Sequence, residues 1–255
     1  MKKNLCGLLL FTFAATLLFG AASLKAQEKP LPPTLVPADK MGEAWWKERH
    51  EANKARIAQG NVDFLLIGDS ITHGWDGAGK AVQEYYYGDR NYVNMGFGGD
   101  QTQHVLWRLA DAPMDKIQPK AAMLLIGINN LWSDWENCSE NVALGIKACV
   151  DKLQALYPDI QILVLNIFPA HEKADSPVRA RAAAANALLP ELFKDYKNVT
   201  LMDINHLWLD ANGNIPKDLM GDFVHPGEYG YKLWGAEVEP TIAKMLGVEP
   251  KKKMD

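Results

Sequence analysis

Nearly unbroken apolar runs alternate along the chain with longer segments in which apolar residues recur every three or four positions. The runs Val62 to Ile67, Tyr92 to Asn94, Ala121 to Ile126, Ile160 to Leu165 and Val199 to Asp203 predict five strands. Strands that are apolar throughout, without alternation, suit a parallel sheet covered on both faces. The intervening segments predict helices at Glu43 to Gln59, Gln101 to Ala110, Ser139 to Leu156 and Tyr229 to Leu246. In the third of these, Val142, Ile146, Cys149, Val150 and Leu153 share one face. Another helix opens at Ser176-Pro177, a capping serine with proline at the first helical position, and runs to Phe193. Strands separated by helix-length segments predict an α/β protein, a three-layer α/β/α sandwich around a mostly parallel five-stranded sheet with right-handed connections.

The ends of the chain read differently. Residues 1–26 carry Lys2, Lys3, an apolar run from Leu5 to Phe19 and small residues before Gln27, the layout of a secretory signal peptide rather than a spanning helix. Its removal takes away three lysines and no acids, moving the formal charge from -4 to about -7. Residues 27–60 form a proline-rich leader and the first helix, 61–247 the α/β domain, and 248–255 a basic tail. An acidic mature chain whose basic cluster is Lys251 to Lys253 argues against nucleic acid as a partner. No amphipathic or basic membrane-docking stretch points to stable membrane insertion. Export as a soluble protein, to the periplasm or the medium, is the expectation. Cys138 and Cys149, if helical between, lie about 16 Å apart, beyond disulfide reach. Scattered histidines and the lack of metal-ligand spacing call for no metal and no cofactor.

Chemistry gathers where the strands end. Val62 to Ile67 stops at Gly68-Asp69-Ser70, which delivers Ser70 at the carboxyl end of a buried strand, where open α/β sheets keep their sites. Ser70 is a candidate nucleophile; the competing reading is a helix cap, since Ser and Asp are the preferred capping residues. Gly96-Phe97-Gly98-Gly99-Asp100 follows the second strand and can aim backbone N–H groups at an anion, and Gly127-Ile128-Asn129-Asn130 follows the third. Each alone reads as an ordinary turn, since Gly and Asn are the commonest turn residues. Asp222 and His225, three apart on a loop, can bond through Nδ1 and leave Nε2 to face a serine. Nucleophile, oxyanion donors, acid and base at the ends of one set of strands are hard to obtain from turns alone.

Gly68-Asp69-Ser70, Gly96-x-Gly98-Gly99-Asp100, Gly127-x-Asn129 and Asp222-x-x-His225 resemble, in order and spacing, the four blocks of the SGNH, or GDSL-type, esterases and lipases. The resemblance runs from about Asn61 to Leu246. Asn94 to Leu109 is especially similar to the catalytic subunits of the platelet-activating-factor acetylhydrolases. The resemblance implies a flavodoxin-like hydrolase fold and a carboxylic ester hydrolase without cofactor. It makes Ser70 the nucleophile, His225 the base and Asp222 its orienting acid. The oxyanion hole would be the N–H groups of Ser70 and Gly99 with the side chain of Asn129. Dimerisation occurs among the similar acetylhydrolases, so a homodimer is allowed. Two departures stand out: Ile128 where the family often has Thr, and Ile71 to Trp75, which are this chain's own.

These departures frame the substrate. Ile71, Ile128 and Val224 each adjoin a site residue and are expected either to hem in a small acyl pocket favouring acetyl or to be ordinary core. Trp75, Trp132 and Trp135 follow two of the site loops and are expected either to stack on a sugar ring or to pack as core and rim. The sequence therefore predicts an exported esterase of small-molecule or glycan esters, removing O-acetyl groups from carbohydrates. The alternatives are a lysophospholipase or lipid acetylhydrolase and a non-catalytic carbohydrate-binding protein.

Overall fold

A computed structural model describes residues 30–133 and 136–254; the expected signal peptide and Trp135 lie outside the described residues. The strands are β1 (Phe64–Gly68), β2 (Tyr92–Gly96), β3 (Ala121–Leu125), β4 (Gln161–Leu165) and β5 (Val199–Met202). The helices are α1 (Ala44–Ala58), α2 (Ser70–His73), α3 (Lys80–Tyr87), α4 (Thr102–Asp111), α5 (Cys138–Leu156), α6 (Pro177–Phe193) and α7 (Glu228–Leu246). Expected strand and helix ends agree with these to within two residues. The sheet order is β2-β1-β3-β4-β5 and every pairing is parallel, so the sheet expected to be mostly parallel is wholly so. β1 and β3 are buried along their full length. Helices α4, α5 and α6 pack side by side and α3 packs on α7, which covers the sheet in the three layers predicted. Cys138 and Cys149 are both buried on α5 and are not joined to each other.

Register sets the site. Gly68 at the end of β1 lies opposite Gly96 of β2 and Leu125 of β3, so the three following loops leave the sheet at one level. Gly68 is needed for close approach: a Cβ there would lie 2.2 Å from the carbonyl oxygen of Leu125 and from Thr72 Oγ1. The sheet order reverses direction at β1, which opens a crevice at the carboxyl ends of β1 and β3. β5 lies two places beyond β3, and the long connection from Met202 to Glu228 has to carry any residue it supplies back to β1. Loops of that length inside a compact domain are usually functional.

The sequence pattern set no bounds for two helices: α2, which it offered only as the cap reading at Asp69-Ser70, and α3. Helix α3 buries Tyr86 and Tyr87, and aromatic residues have modest helix propensity, so its assignment rests on packing against α7 rather than on local preference. The proline-rich leader is packed onto the domain. Thr34 is buried, its hydroxyl donates to the carbonyl of Asn141 at 2.7 Å, and its own carbonyl accepts from Thr102 Oγ1 at 2.9 Å. The basic tail docks as well: the N–H of Lys251 donates to Glu239, which forms a buried ion pair with Arg90, and Lys251 Nζ reaches Asp89. Among the described residues no helix is long and apolar enough to cross a membrane.

Candidate active site

Ser70 occupies the first position of α2, and the cap of that helix is its neighbour. Asp69 Oδ1 accepts the N–H of Ile71 at 3.0 Å, so the capping function expected of either residue belongs to Asp69. The Ser70 hydroxyl is thereby left for other work. It lies 2.7 Å from His225 Nε2, across 155 residues of chain. On the other side of the imidazole, Nδ1 lies 2.6 Å from Asp222 Oδ2.

The direction of these bonds follows from charge. Burial acts to raise the Asp222 pKa, but bonds from the His225 ring and from the N–H groups of His225 and Val224 outweigh it and hold the carboxyl below its ordinary range. An ionised carboxylate only accepts, so Nδ1 carries the proton and Nε2 is left to accept from the serine. Both other bonds end on Asp222 Oδ1, at 3.0 Å from Val224 N and 2.8 Å from His225 N, an Asx turn that fixes the acid against its own loop. Phe223, between acid and base, has φ 62°, a left-handed conformation that costs about 1–3 kcal/mol for a bulky residue. Its carbonyl accepts the N–H of His171, itself at φ 69°. No sequence signal marked this brace, because neither residue is of the Gly or Asn type that announces a positive φ.

The glycine loop forms a tight turn. The N–H of Asp100 donates to the carbonyl of Phe97 at 3.1 Å, and Gly99 sits at φ 68°, the position that requires glycine when the central peptide is flipped. The Gly99 N–H is not used by that turn bond and remains available to an anion. Lys40 Nζ donates to the Gly99 carbonyl at 2.9 Å, so the leader pins the turn from outside. Asn129 Nδ2 donates to the Asp100 carbonyl at 2.9 Å, which orients the amide and leaves its second N–H uncommitted. Next to it, Asn130 Oδ1 accepts the N–H of Thr102 at 3.1 Å and ties the second loop to the third. Below the turn, Asp100 is fully buried, accepting from Arg108 Nε at 2.9 Å and Trp46 Nε1 at 2.8 Å. The buried Arg108 lies over the Phe97 ring at 4.1 Å.

The residues expected to shape the substrate divide. Ile71 and Ile128 are buried and Val224 is half-buried, so the first two present little surface. Trp75 is fully buried, edge-on to Tyr87 and Tyr231 and 4.9 Å from the Trp234 ring. No sugar can reach it: the expectation that Trp75 lines a substrate site is corrected to a core role between α3 and α7. Trp132 is exposed and packs edge-on against His171, 4.9 Å between ring centres. Among the described residues, no three His, Cys, Asp or Glu side chains are grouped to hold a metal ion.

A sequence model described as the GDSL-like lipase/acylhydrolase family matches residues 66–233. The chain belongs to that family. It is accordingly a carboxylic ester hydrolase. It is 31% identical to platelet-activating factor acetylhydrolase IB subunit alpha2 of Rattus norvegicus, over 87% of this chain and 95% of the relative. To the alpha1 subunit of the same organism it is 27% identical, over 80% of this chain and 85% of the relative. The fold is shared with a putative platelet activating factor structure from Streptococcus pneumonia, at TM-score 0.63 and 20% identity, covering 79% of this chain and 96% of the other. It is shared too with an acetylxylan esterase from Geobacillus stearothermophilus, at TM-score 0.56 and 17% identity, covering 76% and 98%.

Proposed function

We propose that this GDSL-like hydrolase is an exported acetylesterase that uses Ser70, His225 and Asp222 to remove O-acetyl groups from carbohydrates. The observation that carries the catalytic part is the 2.7 Å contact between Ser70 Oγ and His225 Nε2, with the imidazole held from behind by Asp222. A serine hydroxyl is a weak nucleophile until a base takes its proton. In the proposed cycle, Ser70 Oγ attacks the acyl carbonyl while its proton passes to Nε2, and Asp222 stabilises the imidazolium. The oxyanion is received by the N–H groups of Ser70 and Gly99 and by Asn129 Nδ2. His225 then returns the proton to the departing alcohol oxygen. Water repeats the sequence on the acyl-enzyme and releases the acid.

An acetyl group is supported by the relatives named as acetylhydrolases. Of the three branched residues next to the site, half-buried Val224 has surface to offer an acyl group, whereas Ile71 and Ile128 are packed into the core. For the alcohol part, exposed Trp132 above its His171 support offers a ring face at the rim. An acetylxylan esterase shares the fold, which agrees with a carbohydrate ester. The relatives named as platelet-activating factor acetylhydrolases support a second reading, an acetyl ester of a phospholipid. Export rests on the signal-peptide pattern of residues 1–26.

Initial rates separate these readings. On p-nitrophenyl acetate, butyrate and octanoate the rate should fall with chain length, and acetylated xylan should release acetate. Octanoate outrunning acetate would transfer the assignment to the lipases. A phosphocholine acetyl ester outrunning the acetylated sugar would favour the lipid acetylhydrolase.

A further inference from the structure

Adjacent tryptophans at the start of α1 have opposite fates. Trp46 is fully buried and bonded to Asp100, whereas Trp45 is 43% exposed, although it lies one residue away on a well-packed helix. Trp45 is nevertheless held. Its Nε1 donates to Glu43 Oε2 at 3.1 Å, and its ring stacks on the imidazole of His73, 18° from parallel with 6.3 Å between centres. Its outer edge abuts the oxyanion turn, since a Cβ built on Gly98 would lie 3.5 Å from Trp45 Cη2. The indole therefore bridges two parts of the active site: Gly98 precedes the Gly99 donor, and His73 stands three residues after Ser70 on the same helical turn.

An exposed tryptophan held on two sides costs apolar surface in water, and nothing within the described residues covers it. Its setting decides what it suits. Around the ring are Lys40, whose Nζ lies on the Gly99 carbonyl, the carboxylate of Glu43, the His73 imidazole and, beyond it, the Arg49–Asp76 ion pair at 2.6 Å. An alkyl chain seeks a continuous apolar groove, and this surface is a single aromatic face in a polar frame. A pyranose has the matching form, an apolar C–H face edged by hydroxyl groups that find donors and acceptors at such a rim. Position agrees. The indole adjoins Gly98, the residue before the Gly99 N–H that would receive the ester's carbonyl oxygen.

We propose that Trp45, backed by His73 and framed by Lys40 and Glu43, is the platform on which the sugar ring of the ester stacks. The inference rests on the carbohydrate-ester reading and adds to the face at Trp132 a second one, on α1. The sequence alone reads the Trp45–Trp46 pair as packing, because it does not say which of two neighbouring tryptophans faces water.

The test compares kcat/KM for acetylated xylobiose with kcat/KM for p-nitrophenyl acetate in wild type, Trp45→Ala and Trp45→Phe. The ratio of the two should fall roughly five- to tenfold in Trp45→Ala, the range of one aromatic stacking contact, and recover most of the way in Trp45→Phe. A ratio that stays at the wild-type value, whether both substrates are unaffected or both decline together, overturns the platform while leaving the carbohydrate reading intact. Wild-type protein that turns over the aryl ester but not acetylated xylobiose overturns both at once.

Discussion

The carboxyl group of Asp69 is buried beside the nucleophile, with Oδ1 on the Ile71 N–H and Oδ2 without a partner. Burial pushes its pKa up to about 7, the Asp100 charge adds to the shift, and the bond from Ile71 opposes it. The sign of the consequence is definite. Because the folded pKa lies above the unfolded one, the folded state holds its proton longer, and stability present at low pH is lost as pH rises from about 4 through 7. A shift of about three pH units corresponds to at most about 4 kcal/mol. Urea unfolding of Asp69→Asn should therefore show a flatter midpoint-against-pH profile than wild type between pH 5 and 8. Parallel profiles would mean that Asp69 ionises in the fold without cost. Asp222 behaves in the opposite sense, since its lowered pKa keeps it charged on the acid side and its contribution is lost only as pH falls through that depressed value.

Helix α1 and the leader before it do more than cover an edge of the sheet. Lys40 and Trp46 hold the glycine turn after β2 from above and below, one through the Gly99 carbonyl and the other through Asp100. Trp46→Ala should cost about 3–5 kcal/mol in chemical denaturation, through lost burial and a cavity, whereas Trp45→Ala, half in water already, should cost far less. Equal losses would contradict the division of labour between them. Much of this architecture was legible in advance for a simple reason: parallel strands buried on both faces leave unbroken apolar runs, and β1, β3 and β4 are such runs. Helix α3 was not legible because Tyr86 and Tyr87 carry little helical preference and find their place only against α7. Trp75 misled for the same reason, since its burial depends on Tyr87, Tyr231 and Trp234, which the order of residues near the nucleophile does not reveal.

Across the whole molecule, the site is an assembly of loops that one sheet brings to a common level. Glycine-rich and asparagine-bearing loops after β2 and β3 reach it directly, while the segment after β5 returns across the sheet to set His225 against Ser70. The four sequence blocks could be read as one constellation because each lies at a strand's end or on the returning loop. The brace of His171 and Phe223 that steadies that return could not, because it is made by backbone conformation. The central claim is that this convergence makes Ser70, alone among the serines, a nucleophile. Treatment with a fluorophosphonate followed by peptide mass spectrometry tests it most directly. The account predicts one adduct, on the peptide containing Ser70, absent in Ser70→Ala and formed at least a hundredfold more slowly in His225→Ala, as expected when a general base is lost. A protein that turns over p-nitrophenyl acetate yet labels elsewhere, or labels Ser70 equally fast without His225, would contradict it.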